Sequence, residues 1–216
     1  MSDSRDKINL SCPLRISSAF RFPLQSEIAR REVLIGALWL LVPIVGWVLN
    51  MGHRIEMVHR MQHGQPAWPA WANKCQLLRD GMVTLLGMIE YHAPAVIFGL
   101  AAWYWEMPFL FIPAGLLWII ATLAVPGYMS HYCFARDASE VFNPLKAMRR
   151  VFETGAGYWH AWLIALSALL LSFAGLLVFG LGFLVTSVWF WQVAGFSFAT
   201  QFTRVFELSE LKLQQQ

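Results

Sequence analysis

Of the chain's 216 residues, 57% are apolar and 13% charged, against roughly 45–50% and about 25% in soluble globular proteins. That balance excludes a water-soluble fold of this size, and no stretch has the composition of a separate soluble module. The formal charge of +3 is carried by basic residues standing singly or in pairs such as Arg30/Arg31 and Arg149/Arg150, which excludes the long basic tracts of nucleic-acid binders.

The expected architecture is all-α, a polytopic transmembrane helical bundle of two helical hairpins preceded by a proline-broken hydrophobic segment. Residues 1–32 read as a cytoplasmic N-terminal arm, polar and without the apolar run of a cleavable signal. Residues 33–49, VLIGALWLLVPIVGWVL, would be about 25 Å long as a helix, short of a ~30 Å hydrocarbon core. Pro43 removes a backbone donor and Gly46 follows it closely, so a helix break is expected here. The segment is then either re-entrant or a fifth span.

Residues 51–64 alternate Ile55, Met57, Val58 and Met61 with Arg54, Glu56, His59 and Arg60. This pattern predicts an amphipathic helix lying on the cytoplasmic surface. Gln65–Ala72, with two prolines and two tryptophans, cannot continue a regular helix and reads as an interfacial turn. After Asn73, an N-cap candidate, residues 81–105 form a span, with Pro94 a further expected helix break. Residues 109–126 return as its antiparallel partner.

A second amphipathic segment, 129–153, is placed on the same surface as the first. The uncharged stretch that follows exceeds forty residues, enough for two crossings at ~20 residues each, assigned to 159–179 and 182–202 with the turn at Gly180–Gly182. Residues 203–216 read as a cytoplasmic tail. Aromatic residues crowd the ends of the apolar segments, as at membrane interfaces.

The basic residues set the orientation. Six lie in the arm, four in residues 50–80, four in residues 128–158 and two in the tail, and none in the connections near 106 and 181. Positive flanks stay inside, so both hairpins have cytoplasmic bases and both termini are expected in the cytoplasm of a bacterial plasma (inner) membrane. A full crossing by residues 33–49 would put one basic cluster outside, which favours the re-entrant reading. Cys12, Cys75 and Cys133 are scattered without metal-ligand spacing and read as reduced thiols.

The order Gly46–Trp47, a basic amphipathic run, His63–Gly64, Pro66, Trp68, Pro69 and Trp71, Asp80–Gly81, then Tyr91 and Pro94 resembles the uncharacterised prokaryotic integral membrane family catalogued as domain of unknown function 4013. The resemblance covers about residues 30–202. It implies a membrane fold and supplies no catalytic residue.

Glu90, with Tyr91 and His92, is the intramembrane polar candidate, since it lies about 15 Å beyond Asp80 by helical rise, near the bilayer midplane. A carboxylate there serves proton transfer or polar-substrate binding, or simply holds helices together. His131 and His160 are weak candidate ligands for a haem or chlorophyll, at depths unlike that of His92. His53, His59 and His63 read as surface histidines, and no metal site, cofactor or catalytic residue is assigned.

The leading functional expectation is a non-enzymatic integral membrane protein. It would act as an accessory or scaffold subunit with a membrane-protein partner, or as a self-associating envelope protein, a homo-oligomer in the lipid bilayer. The alternatives are a small transporter or exporter using Glu90 and His92, and a pigment- or quinone-binding subunit.

Overall fold

The structure, a computed structural model, describes residue 10 and residues 12–214, with side chains as far as Thr203. Its helices are α1 (Ile16–Arg21), α2 (Glu27–Trp39), α3 (Val45–Gln62), α4 (Lys74–Tyr104), α5 (Phe111–Ala135), α6 (Pro144–Thr154), α7 (Ala156–Ser172) and α8 (Leu181–Gln214). No strand occurs among the described residues. Four helical stretches are long and apolar enough to cross a bilayer: Lys74–Tyr104, Pro108–Ala135, Ala156–Leu177 and Leu181–Thr203. The chain is therefore an all-α, multi-pass membrane protein whose outer helix surfaces face lipid.

Two tight reversals make these stretches antiparallel pairs. Glu106 takes a positive φ of 52° between α4 and the short turn leading to α5. Phe179 and Gly180 do the same before α8, at 50° and 73°. α4 packs along α5 and α7 along α8, whereas contact between the two hairpins is sparser: α5 touches α8, and the Tyr158 hydroxyl of α7 donates to the Leu123 carbonyl of α5. The space between them is largely filled by α3.

Residues 33–49 do not form one helix. α2 stops at Trp39, residues 40–44 turn, and α3 returns from Val45. At the tip the Val45 N–H donates to the Pro43 carbonyl at 2.7 Å, and Ile44 sits at φ 63°, ψ −64°. This is the γ-turn of the rare, strained hand. The arms then touch backbone to backbone, because a Cβ on Gly46 would lie 1.7 Å from the Trp39 carbonyl oxygen. The Asn50 amide bridges them, donating to the Gly36 and Gly46 carbonyls at 3.1 and 2.8 Å.

The break thus falls at Pro43, with Gly46 the contact point of the two arms. Pro94 departs from expectation. α4 runs unbroken through it, as membrane helices allow when neighbours support the freed carbonyl.

The surface position expected for residues 51–64 is overturned. From Val48 to Gln62 no side chain is exposed, because α3 is wedged against α2, α4, α5 and α8. Two glycines bring α3 and α4 into backbone contact. A Cβ on Gly52 would stand 1.8 Å from the Leu77 carbonyl oxygen, and one on Gly81 1.9 Å from that of Val48.

The polar face that looked solvated is satisfied by α5 and the residue after it. Glu56 pairs with Arg136, His59 Nδ1 donates to the Cys133 carbonyl at 2.7 Å, and Gln62 donates to the Ser130 carbonyl at 3.2 Å. Burial pushes the His59 imidazole below its usual range, the Cys133 carbonyl opposing and the Arg136 charge reinforcing the shift.

The second amphipathic segment is also divided. Residues 129–135 complete α5, and only α6 is a separate amphipathic helix. Its inner side packs so closely on α5 that a Cβ on Gly127 would meet the Ala147 carbonyl oxygen at 2.5 Å. Its outer edge leaves Leu145 and Phe152 exposed. Glu140 accepts from Lys146 at 2.8 Å and from Arg150 at 2.6 Å, and these two bonds hold its carboxyl well below the usual range, at about 2.

Candidate functional site

Two consecutive residues of α3 carry the polar chemistry of the interior. His53 is 2% exposed and its Nε2 lies 2.9 Å from Glu32 Oε2, so it is no surface histidine. The same Glu32 oxygen accepts the Ala70 N–H at 2.9 Å, and the Trp71 indole donates to the Glu32 carbonyl at 3.2 Å. The His53 ring stacks on Trp71 with centroids 4.3 Å apart. Glu32, assigned by sequence to the polar arm, is 4% exposed and ties α2, α3 and the Pro–Trp loop together. That loop contains the cis Trp68–Pro69 bond and is fastened to α3 where Arg60 donates to the Pro69 carbonyl.

Arg54 turns the other way and finds no such partners. It is 8% exposed, and its guanidinium carbon stands 4.6 Å above the Trp191 ring. Its one polar contact among the described residues is Nη2 to the Met129 sulfur at 3.7 Å, and its Nε is buried with no partner. Burying a guanidinium without hydrogen-bonded partners costs several kcal/mol. A cation–π contact recovers ~0.5–2 kcal/mol of that.

Arg54, Met88 and Trp191 separate two cavities. The first, of about 380 Å³, lies between the hairpins and is walled by Trp118 and Thr122 of α5, Trp162, Leu166 and Leu169 of α7, and Phe190 and Phe198 of α8. The second, of about 480 Å³, lies beside the α2–α3 tip and includes Trp47, Ser187 and Gln192. Both volumes fall within the roughly 300–1,000 Å³ typical of small-molecule sites. Gln192 is 2% exposed, and neither of its amide atoms has a partner.

The residues chosen from sequence are only partly gathered here. His92 lines the first cavity, its Nδ1 donating to the Met88 carbonyl at 2.8 Å and its Nε2 lying 3.3 Å from the Thr122 hydroxyl. Tyr91 is half-buried with its ring 4.9 Å from Tyr128, and both hydroxyls are buried without partners. Glu90 is exposed on the outer surface of α4 and has no hydrogen bond or ion pair within the described chain.

Glu90 lies near the middle of the candidate span Lys74–Tyr104. Tyr91 contacts Tyr128, and the adjacent Gly127 abuts α6.

His131 lies near the C-terminal end of α5 and His160 in the first turns of α7, and neither lines the cavity that contains His92. His63 is exposed, as read from sequence. No group of three or more metal-ligating side chains occurs among the described residues.

Sequence reading missed Glu32, His53 and Arg54 as interior residues. One signal was present: at helical spacing Arg54 falls on the stripe Met51, Val58 and Met61, an apolar face rather than a polar one. No family model matches the chain, and neither a curated protein nor a solved structure matches it.

Proposed function

We propose that the protein is a non-enzymatic membrane-integral binding protein that takes a chain-like or ring-bearing apolar ligand into the cleft between its two hairpins. The observation that carries this reading is the first cavity, bounded by both hairpins and α3 and lined mainly by apolar and aromatic side chains. Such a protein acts as an accessory subunit of a larger membrane assembly or as a self-associating envelope protein.

The same proposal places it in a bacterial plasma membrane with the basic bases of its hairpins, and α6, on the cytoplasmic side. The α2–α3 hairpin enters from that side as a re-entrant element, its tip bearing the exposed Leu41 and Ile44. Kinship with the domain of unknown function 4013 family belongs to this proposal too, on the motif order from Gly46 to Gly81.

Native mass spectrometry of protein released from mild detergent tests the function. A retained small molecule in the wild type, lost in the cleft-filling Ala165→Phe variant, is the expected outcome. Bare protein, or equal retention in both, overturns it. Transport is the second reading, favoured by His92 in the cavity wall but not by Glu90, which lies outside it. Ligand movement between the leaflets of reconstituted vesicles would replace the binding-protein reading with this one.

A further inference from the structure

Resting on the cleft-binding reading, we propose that Arg54 is an anion-binding residue and that the ligand is a chain-bearing acid, its carboxylate or phosphate on the guanidinium and its chain between the hairpins. The inference begins with a pairing of charges. Each buried or half-buried carboxylate of the helix-packed interior is already engaged. Glu32 meets His53 and the Ala70 N–H, Asp80 accepts from Gln76 and Tyr132 at 2.8 and 2.9 Å, Glu56 holds Arg136, and Glu140 holds Lys146 and Arg150.

Arg54 is left over. Among the described residues it has no carboxylate within ion-pair distance, only a sulfur and an aromatic face. Guanidinium groups match carboxylate and phosphate geometry with two parallel N–H donors, and the donors of this one border both cavities. Gln192, also unpartnered and buried, adds an amide on the side of the second cavity.

Away from Arg54 the first cavity offers little for a second polar end. Thr122 donates to the Trp118 carbonyl at 2.9 Å, His92 to the Met88 carbonyl at 2.8 Å, and apart from Ser130 and Cys133 the rest of the wall is apolar or aromatic, with no Lys, Asp or Glu. One anionic head and one apolar chain is the chemistry that satisfies both ends.

The test uses the full chain in detergent at pH 8, titrated with dodecanoate, dodecyl phosphate, dodecanol, acetate and inorganic phosphate, with thermal shift and tryptophan fluorescence as readouts. The two chain-bearing acids are expected to bind roughly 10- to 100-fold more tightly than dodecanol, the range of a hydrogen bond to a charged group. Acetate and inorganic phosphate are expected not to bind. In Arg54→Met the acids and the alcohol should bind alike, while the ligand-free protein melts no lower than the wild type. Arg54→Lys should keep a reduced preference for the acids.

Equal binding of dodecanol and the acids by the wild type overturns the anion assignment and leaves the cleft reading standing. An acid preference that persists in Arg54→Met overturns Arg54 as its source. Binding of inorganic phosphate as tight as that of dodecyl phosphate overturns the chain. Failure of every chain compound to bind overturns the cleft reading with it.

Discussion

His53 and Arg54 are neighbours on one helix, both buried, and opposite in circumstance. His53 is surrounded by a carboxylate and two indole rings, and every strong contact it makes is repaid by another element. Arg54 has an aromatic face, a sulfur and empty space. Saturated polar groups fix a structure, since removing a partner strands the other. An unsaturated one lowers stability and leaves binding energy for something else.

The comparison breaks most visibly at Glu32. Glu32→Ala strands His53 and the Ala70 N–H together, and a loss of roughly 3–5 kcal/mol is expected by analogy with broken buried pairs. Reversible unfolding in mixed micelles measures it, and a change under 1 kcal/mol would show the pair to be idle. Gly52→Ala comes next. It presses a methyl group into the Leu77 backbone and should cost about 1–3 kcal/mol by overpacking, read in the same assay.

Arg54→Met has the opposite sign, a gain of about 1–2 kcal/mol in the ligand-free protein, because an uncompensated charge is replaced by a side chain of similar length. Ile44→Gly should also stabilise, by about 1 kcal/mol, as relief of the positive-φ strain outweighs the added freedom of the unfolded chain.

The smallest effect is at α6. Glu140 titrates at about 2 in the fold against 4.5 for an ordinary carboxyl. The stabilisation from Lys146 and Arg150 is therefore complete above pH ~4.5 and fades as pH falls toward 2. A spin label at Phe152→Cys should gain mobility over that window and stay unchanged between pH 5 and 8.

The two hairpins were legible in the sequence because hydropathy and the placement of Lys and Arg are one-dimensional properties. The break at Pro43 was legible too, since proline acts on its own turn. What the sequence hid depends on partners far along the chain. Glu56, His59 and Gln62 looked solvated because the groups that satisfy them lie 68–80 residues away.

Glu32 looked like part of a tail because His53 and Ala70 fold back onto it. Glu90 drew attention by its apolar neighbours, yet it lies on the exposed face of α4, and which face of that helix packs inward is decided by partners far along the chain. The strongest candidate, Arg54, was classed with the polar face of an amphipathic run although its own helical stripe is apolar.

The Trp189 indole of α8 donates to the Phe20 carbonyl at 3.2 Å, across 169 residues, and α2 packs along α8. This long link has a consequence for biogenesis. At ~5–20 residues per second, α8 leaves the ribosome roughly 10–30 s after the segment it covers. For that interval Glu32, His53 and Arg54 are held by a half-built bundle, and a chain released before residue 181 would lack the wall that encloses them. Assembly of this protein is therefore completed from its C-terminal side, and quality control in the membrane has a defined interval in which to recognise it as unfinished.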